Sequence, residues 1–527
     1  MVAAMMFCCH KPELVHDSLD MVTEENSPMT MFQDELFANE LEEPRPMADA
    51  RQEPEDAGAI CDEPMKVPVL SPPPEPKEAP DRLTRRHPIF IVIVNPKSGG
   101  NTAGEFLALP TSGFEVDEPD GVRATVFSYA ITDPSKAGFK HLAREVEAVP
   151  EGQRARCIVA GGDGTVMWTI EEMFKAGIPV NRVSLGIVPF GTGNDFANVT
   201  GWGTKGPPKD FLKEKQGFKG LEDYVRRWLR ADSKSYDIWE VSLRTHKSGS
   251  LQFIDDGKKV CTDKHVQRHH IKELPEGGLE MSKYMCNYFS MGLDARIGVG
   301  FDKNRQGGQA ANKAVYGWEG TKKLLFKRKG LIANITESMR LVENSKTMEK
   351  ACDGHDQSSY PSGEVVFTTE NSQEAEGDRL LGNPVNLIFL NIPSIAGGLD
   401  IWNWSDRNMG TNASRELLQA RQDFADGKLE CLAYRTGIGY VLEQVRAPPV
   451  SGRGHRVYSG GGPLRLKFKS PTDEGFIKGT SHCKGRTYMQ VDGEYFIVRE
   501  PDSVVIRHHC AIQVLVNAET PSGCCAR

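Results

Sequence analysis

The chain has 527 residues, 39% of them hydrophobic and 26% charged, enough for roughly one to three domains with sizeable cores. No run approaches the roughly 20 consecutive apolar residues that a membrane-spanning helix needs. A net charge of −8 excludes a nucleic-acid binder held by overall basicity.

The charge is unevenly spread. Residues 1–86 hold 8 Lys/Arg against 19 Asp/Glu, a net −11 that leaves residues 87–527 at +3. Ten prolines lie between 41 and 80, mixed with Asp and Glu, and such a composition buries too little apolar surface to offset chain entropy. Residues 1–86 are therefore expected to be a disordered acidic leader, with the prolines at 72–74 and 76 as a stiff linker. The 12 cysteines contain no C-x-x-C pair, so neither a disulfide scaffold nor a zinc module of ordinary spacing is expected. The start of the chain lacks the basic n-region of a secretory signal, and Val2 excludes N-myristoylation. A cytoplasmic, reduced setting is expected, with Cys8-Cys9 a candidate for S-acylation.

Order is expected from His87. Ile89–Val94 is apolar throughout and β-branched, as a central parallel strand buried on both faces would be, and it ends in the turn-rich Asn95-Pro-Lys-Ser-Gly-Gly100. The pattern recurs with a strand at Cys157–Ala160, a turn at Gly161-Gly-Asp-Gly164 and a helix at Thr165–Ala176. A strand at Val183–Pro189 then leads into Gly191-Thr-Gly-Asn-Asp195. This is the grammar of an open α/β sheet with its ligand site at the carboxyl ends of the strands. After residue 236, short β-branched or aromatic runs (Ile238–Leu243, Asn287–Met291, Val385–Leu390, Leu464–Phe468, Val504–Ile506) alternate with turns and predict a β-rich second domain. The polar stretches 255–280 and 343–378 read as insertions. His265, His269 and His270, in the first of them, fit a solvated loop better than a metal site, having no Cys or Asp partner nearby.

Glycine-rich loops after strands serve phosphate chemistry, because glycine lets backbone N–H groups approach an anion beside a helix N-terminus. Asp163 and Asp195 place carboxylates in two of these loops. Beside phosphate, a carboxylate is repulsive unless a divalent cation intervenes or it accepts a proton from an attacking hydroxyl. The plain alternative for Asp163 is a cap on the following helix. No G-x-x-x-x-G-K-[ST] is present, no protein-kinase motif set appears, and Gly298-Val-Gly300 lacks the third glycine of a dinucleotide fingerprint.

Asn95–Gly100, Gly161–Thr165 and Pro189-Phe-Gly-Thr-Gly-Asn-Asp195 together resemble the catalytic domain of a diacylglycerol kinase. The series Asn287–Ala295, Phe301, Arg305, Asn312-Lys313 and Tyr316 resembles the opening of the eukaryotic accessory domain. So do Asn391–Gly398 with Trp402, Asp426-Gly-Lys-Leu-Glu430 and Gln490-Val-Asp-Gly-Glu494. The resemblance spans about 87–516. It implies an α/β catalytic domain with a mostly parallel sheet at 87–236 and a β-rich accessory domain at 237–516. A flexible tail would follow at 517–527, and the active site would lie in the cleft between the domains. The expected reaction is ATP-dependent, Mg²⁺-assisted phosphorylation of diacylglycerol to phosphatidic acid. A related kinase acting on a sphingoid base, ceramide or monoacylglycerol is the alternative, and a catalytically dead scaffold is disfavoured because Lys97, Asp163 and Gly164 are all present.

The resemblance assigns the ATP phosphates to Asn95, Lys97, Ser98, Gly161, Gly162, Gly164, Thr165, Gly191, Thr192, Gly193 and Asn194. It makes Asp163 a metal-holding or proton-accepting carboxylate and Asp195 a second metal ligand. Asp237 and Glu494 become cleft-facing catalytic carboxylates, with Glu494 the alternative general base, and Asp426 a secondary metal or structural site. The zinc and calcium modules of animal members are not encoded here. Contact with the lipid surface is expected to be peripheral, through Thr321-Lys-Lys-Leu-Leu-Phe-Lys-Arg-Lys329 and the Cys8-Cys9 pair.

Overall fold

The computed structural model describes residues 87–117, 123–208, 211–213, 218–255, 258–260, 270–303, 332–342, 362–369, 383–405, 414–444, 453–474, 476–477 and 485–517. The leader, Cys8-Cys9, His265 and His269 lie outside them, as do Arg305, Asn312-Lys313, Tyr316 and the 321–329 segment. The Phe301 side chain does too.

The first half is an open sheet. Strand β1 (Ile89–Val94) is buried from Phe90 onward, and such a two-sided apolar run can only sit at the centre of a covered sheet. It pairs in parallel with β3 (Arg123–Ala130) on one side and β4 (Ala155–Gly161) on the other. Strand β2 (Phe114–Asp117) adds an antiparallel edge to β3, and β5 (Val183–Pro189) pairs in parallel with β4. Helices α1 (Ala137–Ala148) and α2 (Asp163–Lys175) cover it with Phe139, Leu142 and Val146, and with Val166, Met167, Ile170 and Met173. Two further helices follow in the chain, α3 (Asp195–Val199) and α4 (Lys219–Arg230).

The second half is antiparallel and grows out of the same sheet. The long strand β6 (Asp232–Asp255) lies against the equally long Glu494–Val516 along nearly its whole length, with bulges where the register slips at Arg499, Pro501 and His508. The far end of that last strand returns to the first half, where Gln513 and Val514 pair in parallel with Ser184 and Leu185 of β5. Chain-distant residues thus complete the α/β sheet, and Ile512, Val514 and Leu515 join its core. Around the near end, Tyr288–Gly292 lies between Asn386–Leu390 and Arg486–Val491. Leu464–Phe468 lies between Thr336–Val342 and the last strand. Phe289, Phe389, Leu429, Met489 and Phe496 fill the enclosed core.

Two expectations are corrected. Within 343–378, Ser362–Thr368 is a strand paired with Thr336–Val342, because Phe367 finds a buried seat in the core. Within 255–280, Lys272–Glu273 and the start of Leu279–Met285 are paired strands. Among the described residues no helix is long and apolar enough to cross a membrane.

Candidate active site

Three loops emerge together at the carboxyl ends of β1, β4 and β5. Asn95 joins the first to the second, its amide nitrogen donating to Thr165 Oγ1 at 3.1 Å, while its oxygen accepts the Lys97 N–H at 3.2 Å. Gly99, in a left-handed conformation, lies against the Phe190 ring. Gly162 and Gly191 touch closely enough that a Cβ on either would fall 2.7 Å from the other's Cα.

Helix α2 begins at Asp163, two residues before the expected start, so Asp163 and Gly164 belong to its first turn. No side chain caps that terminus. Gly164 is exposed, and a Cβ there would meet no protein atom within 4 Å. Nothing inside the fold requires glycine at this position, although glycine is a poor helix residue. An uncapped helix start with a bare glycine fits an anion lying against the backbone.

Asp163 is a cap, but of the next helix rather than its own. Its Oδ2 accepts the Asp195 N–H at 3.2 Å and its Oδ1 the Phe196 N–H at 2.8 Å, fixing the start of α3. Asp195 is itself held from the second half, with Oδ1 accepting N–H bonds from Gly397 at 2.8 Å and Gly398 at 3.1 Å. Both glycines and the preceding Ala396 have positive φ, a curl that turns successive N–H groups toward one carboxylate. Burial first, and the neighbouring Asp163 charge next, raise the Asp195 carboxyl above the ordinary carboxylate range against the pull of those donors.

A third carboxylate, Asp492, accepts the N–H groups of Cys286, Asn287 and Tyr288 at 2.6, 2.8 and 2.9 Å. Burial still pushes it up to about 6, and its charge is felt at Asp195. Tyr236 lies buried among these three acids, its hydroxyl donating to the Cys286 carbonyl, and burial followed by the nearby charges raises it well above its ordinary value. The three carboxylates feel one another's charge, but among the described residues no group of three or more His, Cys, Asp or Glu side chains is arranged to hold a metal ion.

Glu494 lies two residues beyond Asp492 and pairs with Lys283 at 2.9 Å. Asn194, Asp237 and Asp426 are each held by protein partners. Asn194 is buried and fully engaged, its oxygen accepting the Gly191 N–H and its nitrogen donating to the Gly191 and Thr204 carbonyls. Its side chain closes the loop. Asp237 lies on β6. It is buried, with Oδ1 against His508 Nε2 and Oδ2 accepting the Gly427 N–H, both at 2.8 Å. Asp426 accompanies it, accepting the Lys428 N–H at 3.0 Å, and burial raises its carboxyl. This second acidic group meets the first through Asn391, whose amide nitrogen donates to the Asp237 and Cys286 carbonyls at 2.9 and 2.7 Å.

Sequence analysis assigned no individual role to Gly397-Gly398, His508, Lys283 or Asp492. A signal for Lys283 exists: it sits between Met281 and Met285 at the inward period of a strand.

Residues 89–217 match the family model of the diacylglycerol kinase catalytic domain, and residues 284–495 that of the diacylglycerol kinase accessory domain. Among curated relatives, the eye-specific diacylglycerol kinase of Drosophila melanogaster is 27% identical over 59% of this chain and 17% of its own length. Diacylglycerol kinase 5 of Arabidopsis thaliana is 26% identical over 78% of this chain and 73% of its own. Human diacylglycerol kinase theta is 26% identical over 66% and 28% respectively. The chain thus spans well under half the length of the fly and human relatives.

Proposed function

The chain belongs to the diacylglycerol kinase family, and from that premise we propose that it transfers the γ-phosphoryl group of ATP to the primary hydroxyl of diacylglycerol, giving phosphatidic acid and ADP. The observation that carries the reading is the uncapped start of α2, with bare Gly164 facing open space beside Asp163 and Asp195. The loop backbones of Gly161, Gly162, Gly164, Gly191, Thr192 and Gly193 surround the phosphates, with Asn95, Ser98 and Thr165 shaping the first two loops. Lys97, which is exposed, supplies a mobile positive charge. Asn194 positions its loop without touching substrate.

Asp163 and Asp195 are the residues that would hold Mg²⁺, which supplies charge neutralisation on the transferring phosphoryl group. Both Asp163 oxygens already accept backbone N–H bonds, which commits that carboxylate to holding the start of α3. Glu494 is therefore the base. It accepts the hydroxyl proton as the acceptor oxygen bonds to the γ-phosphorus and the bond to the β–γ bridging oxygen breaks. Asp237 supports the cleft from behind, paired with His508, and Asp426 belongs to that supporting group.

The acceptor resides in a bilayer, so access in this reading is peripheral and cytoplasmic, by acylation at Cys8/Cys9 and the basic 321–329 segment. Co-sedimentation of the full chain and a Cys8→Ser/Cys9→Ser variant with vesicles measures it, and equal partitioning removes the acylation.

A mixed-micelle assay with labelled ATP and Mg²⁺, offering diacylglycerol, sphingosine, ceramide and monoacylglycerol in parallel, tests the reaction. Label is expected in phosphatidic acid, and Asp163→Asn is expected to lose most turnover while remaining folded. Label in another lipid moves the substrate assignment, and a folded Asp163→Asn protein with full activity refutes the site.

A further inference from the structure

Lys283 is a buried ammonium in an unusual place. On the strand Leu279–Met285, Met281, Lys283 and Met285 share the inward face, and both methionines are completely buried in the β-rich core. The Lys283 side chain is only 4% exposed, and its ion pair is with Glu494, at 2.9 Å, whose side chain remains 24% exposed. The Lys283 charge also reaches Asp492, one turn position before Gly493. A lysine enclosed among apolar side chains is costly, and replacing such a pair with apolar groups is often neutral or stabilising. The pair is therefore a poor device for holding this fold together. It is a good device for holding one carboxylate in one direction, because a buried ammonium grips Glu494 while the Glu494 side chain stays partly exposed.

We infer that Lys283 is a positioning residue of the transfer reaction, fixing the Glu494 carboxylate toward the acceptor hydroxyl. The inference rests on the reading of Glu494 as the base. Lys283 acts through Glu494 and does not itself touch the acceptor or ATP.

The test is a cycle of full-length Lys283→Met, Glu494→Gln and the double variant, reading kcat, KM for ATP and thermal midpoint in the mixed-micelle assay. Loss of a general base costs on the order of 10²- to 10⁴-fold, and misplacing one by about 1 Å costs about 10²-fold. Lys283→Met is expected to lower kcat about 10²-fold, with KM for ATP unchanged and a midpoint at or above that of the parent. The double variant is expected to be no slower than Glu494→Gln alone. It is also expected to be more stable than Glu494→Gln, which strands a buried ammonium. A Lys283→Met protein at the parental rate, beside an inactive Glu494→Gln, overturns the inference and spares the base assignment. Losses that multiply in the double variant overturn it too, since Lys283 would then act on substrate directly. A Lys283→Met protein that fails to fold shows the pair to be structural and likewise overturns it. Glu494→Gln at the parental rate refutes the base assignment itself, and the inference with it.

Discussion

Glu430 gives the sharpest pH prediction. Its side chain is completely buried behind the Asp237–Asp426 group, with one oxygen accepting the Ser459 hydroxyl at 3.1 Å and the other without a partner. Burial first, with the nearby Asp426 charge adding, pushes the carboxyl up to about 8. In an unfolded chain a glutamate releases its proton near pH 4.3. Between those values the folded state binds more protons than the unfolded one, so stability falls as pH rises, and the loss is complete above about pH 8. At about 1.4 kcal/mol per pH unit, the penalty is under about 1 kcal/mol at pH 5 and roughly 3 to 4 kcal/mol at pH 7.

Glu430→Gln keeps the shape of the neutral acid and has no proton to lose. Thermal unfolding followed from pH 5 to pH 8 should therefore show the variant melting above the parent at pH 7 to 8, the two converging toward pH 5. Parallel curves across that range would mean that Glu430 is ionised in the folded protein and that its charge is compensated, which would refute the argument.

Two further substitutions separate ligand demands from fold demands. Gly164→Ala adds a methyl group where the protein has no atom within 4 Å. It should raise the thermal midpoint, by up to about 1 kcal/mol of stability, while raising KM for ATP at least about tenfold by crowding the phosphates; unchanged KM would remove Gly164 from the site. Arg456 is buried over the Trp402 ring at 4.0 Å and donates to the Trp402, Leu417, Leu418 and Ala420 carbonyls and to the Ser405 hydroxyl. Arg456→Met should cost about 3 kcal/mol or more, by orphaning buried acceptors. Arg456→Lys should recover little of it, because an ammonium cannot reproduce the planar fork; a full recovery in thermal unfolding would contradict this.

The central strands were legible because two-sided burial leaves an uninterrupted apolar run, as in Phe90–Val94, and the loops because glycine clusters punctuate those runs. The start of α2 was misplaced because Asp163 and Gly164 are turn-forming residues by local preference. They are helical here because the loop after β5 and the start of α3 take up the Asp163 carboxylate. The surroundings of Asp237 are silent in sequence for a related reason: its partners, His508 and Gly427, are 271 and 190 residues away. The pairing of Gln513 with Ser184 across the sheet is equally silent in sequence.

Those long-range contacts explain why site and architecture are inseparable here. Asp163 fixes the start of α3, Asp195 is fixed by Gly397 and Gly398, and Asp492 fixes the backbone at 286–288. Each carboxylate near the cradle is thus oriented by backbone N–H donors from another segment, and the Asp195 link crosses from the α/β sheet to the β-rich half. Fixed donors of this kind do not reorganise as charge develops on a transferring group, which is the condition for electrostatic stabilisation to act. They also hold the acids together although burial first, and the Asp163 charge next, raise the Asp195 carboxyl. The β-rich half therefore takes part in orienting these carboxylates, since without Gly397 and Gly398 the Asp195 carboxylate would lose the donors that aim it.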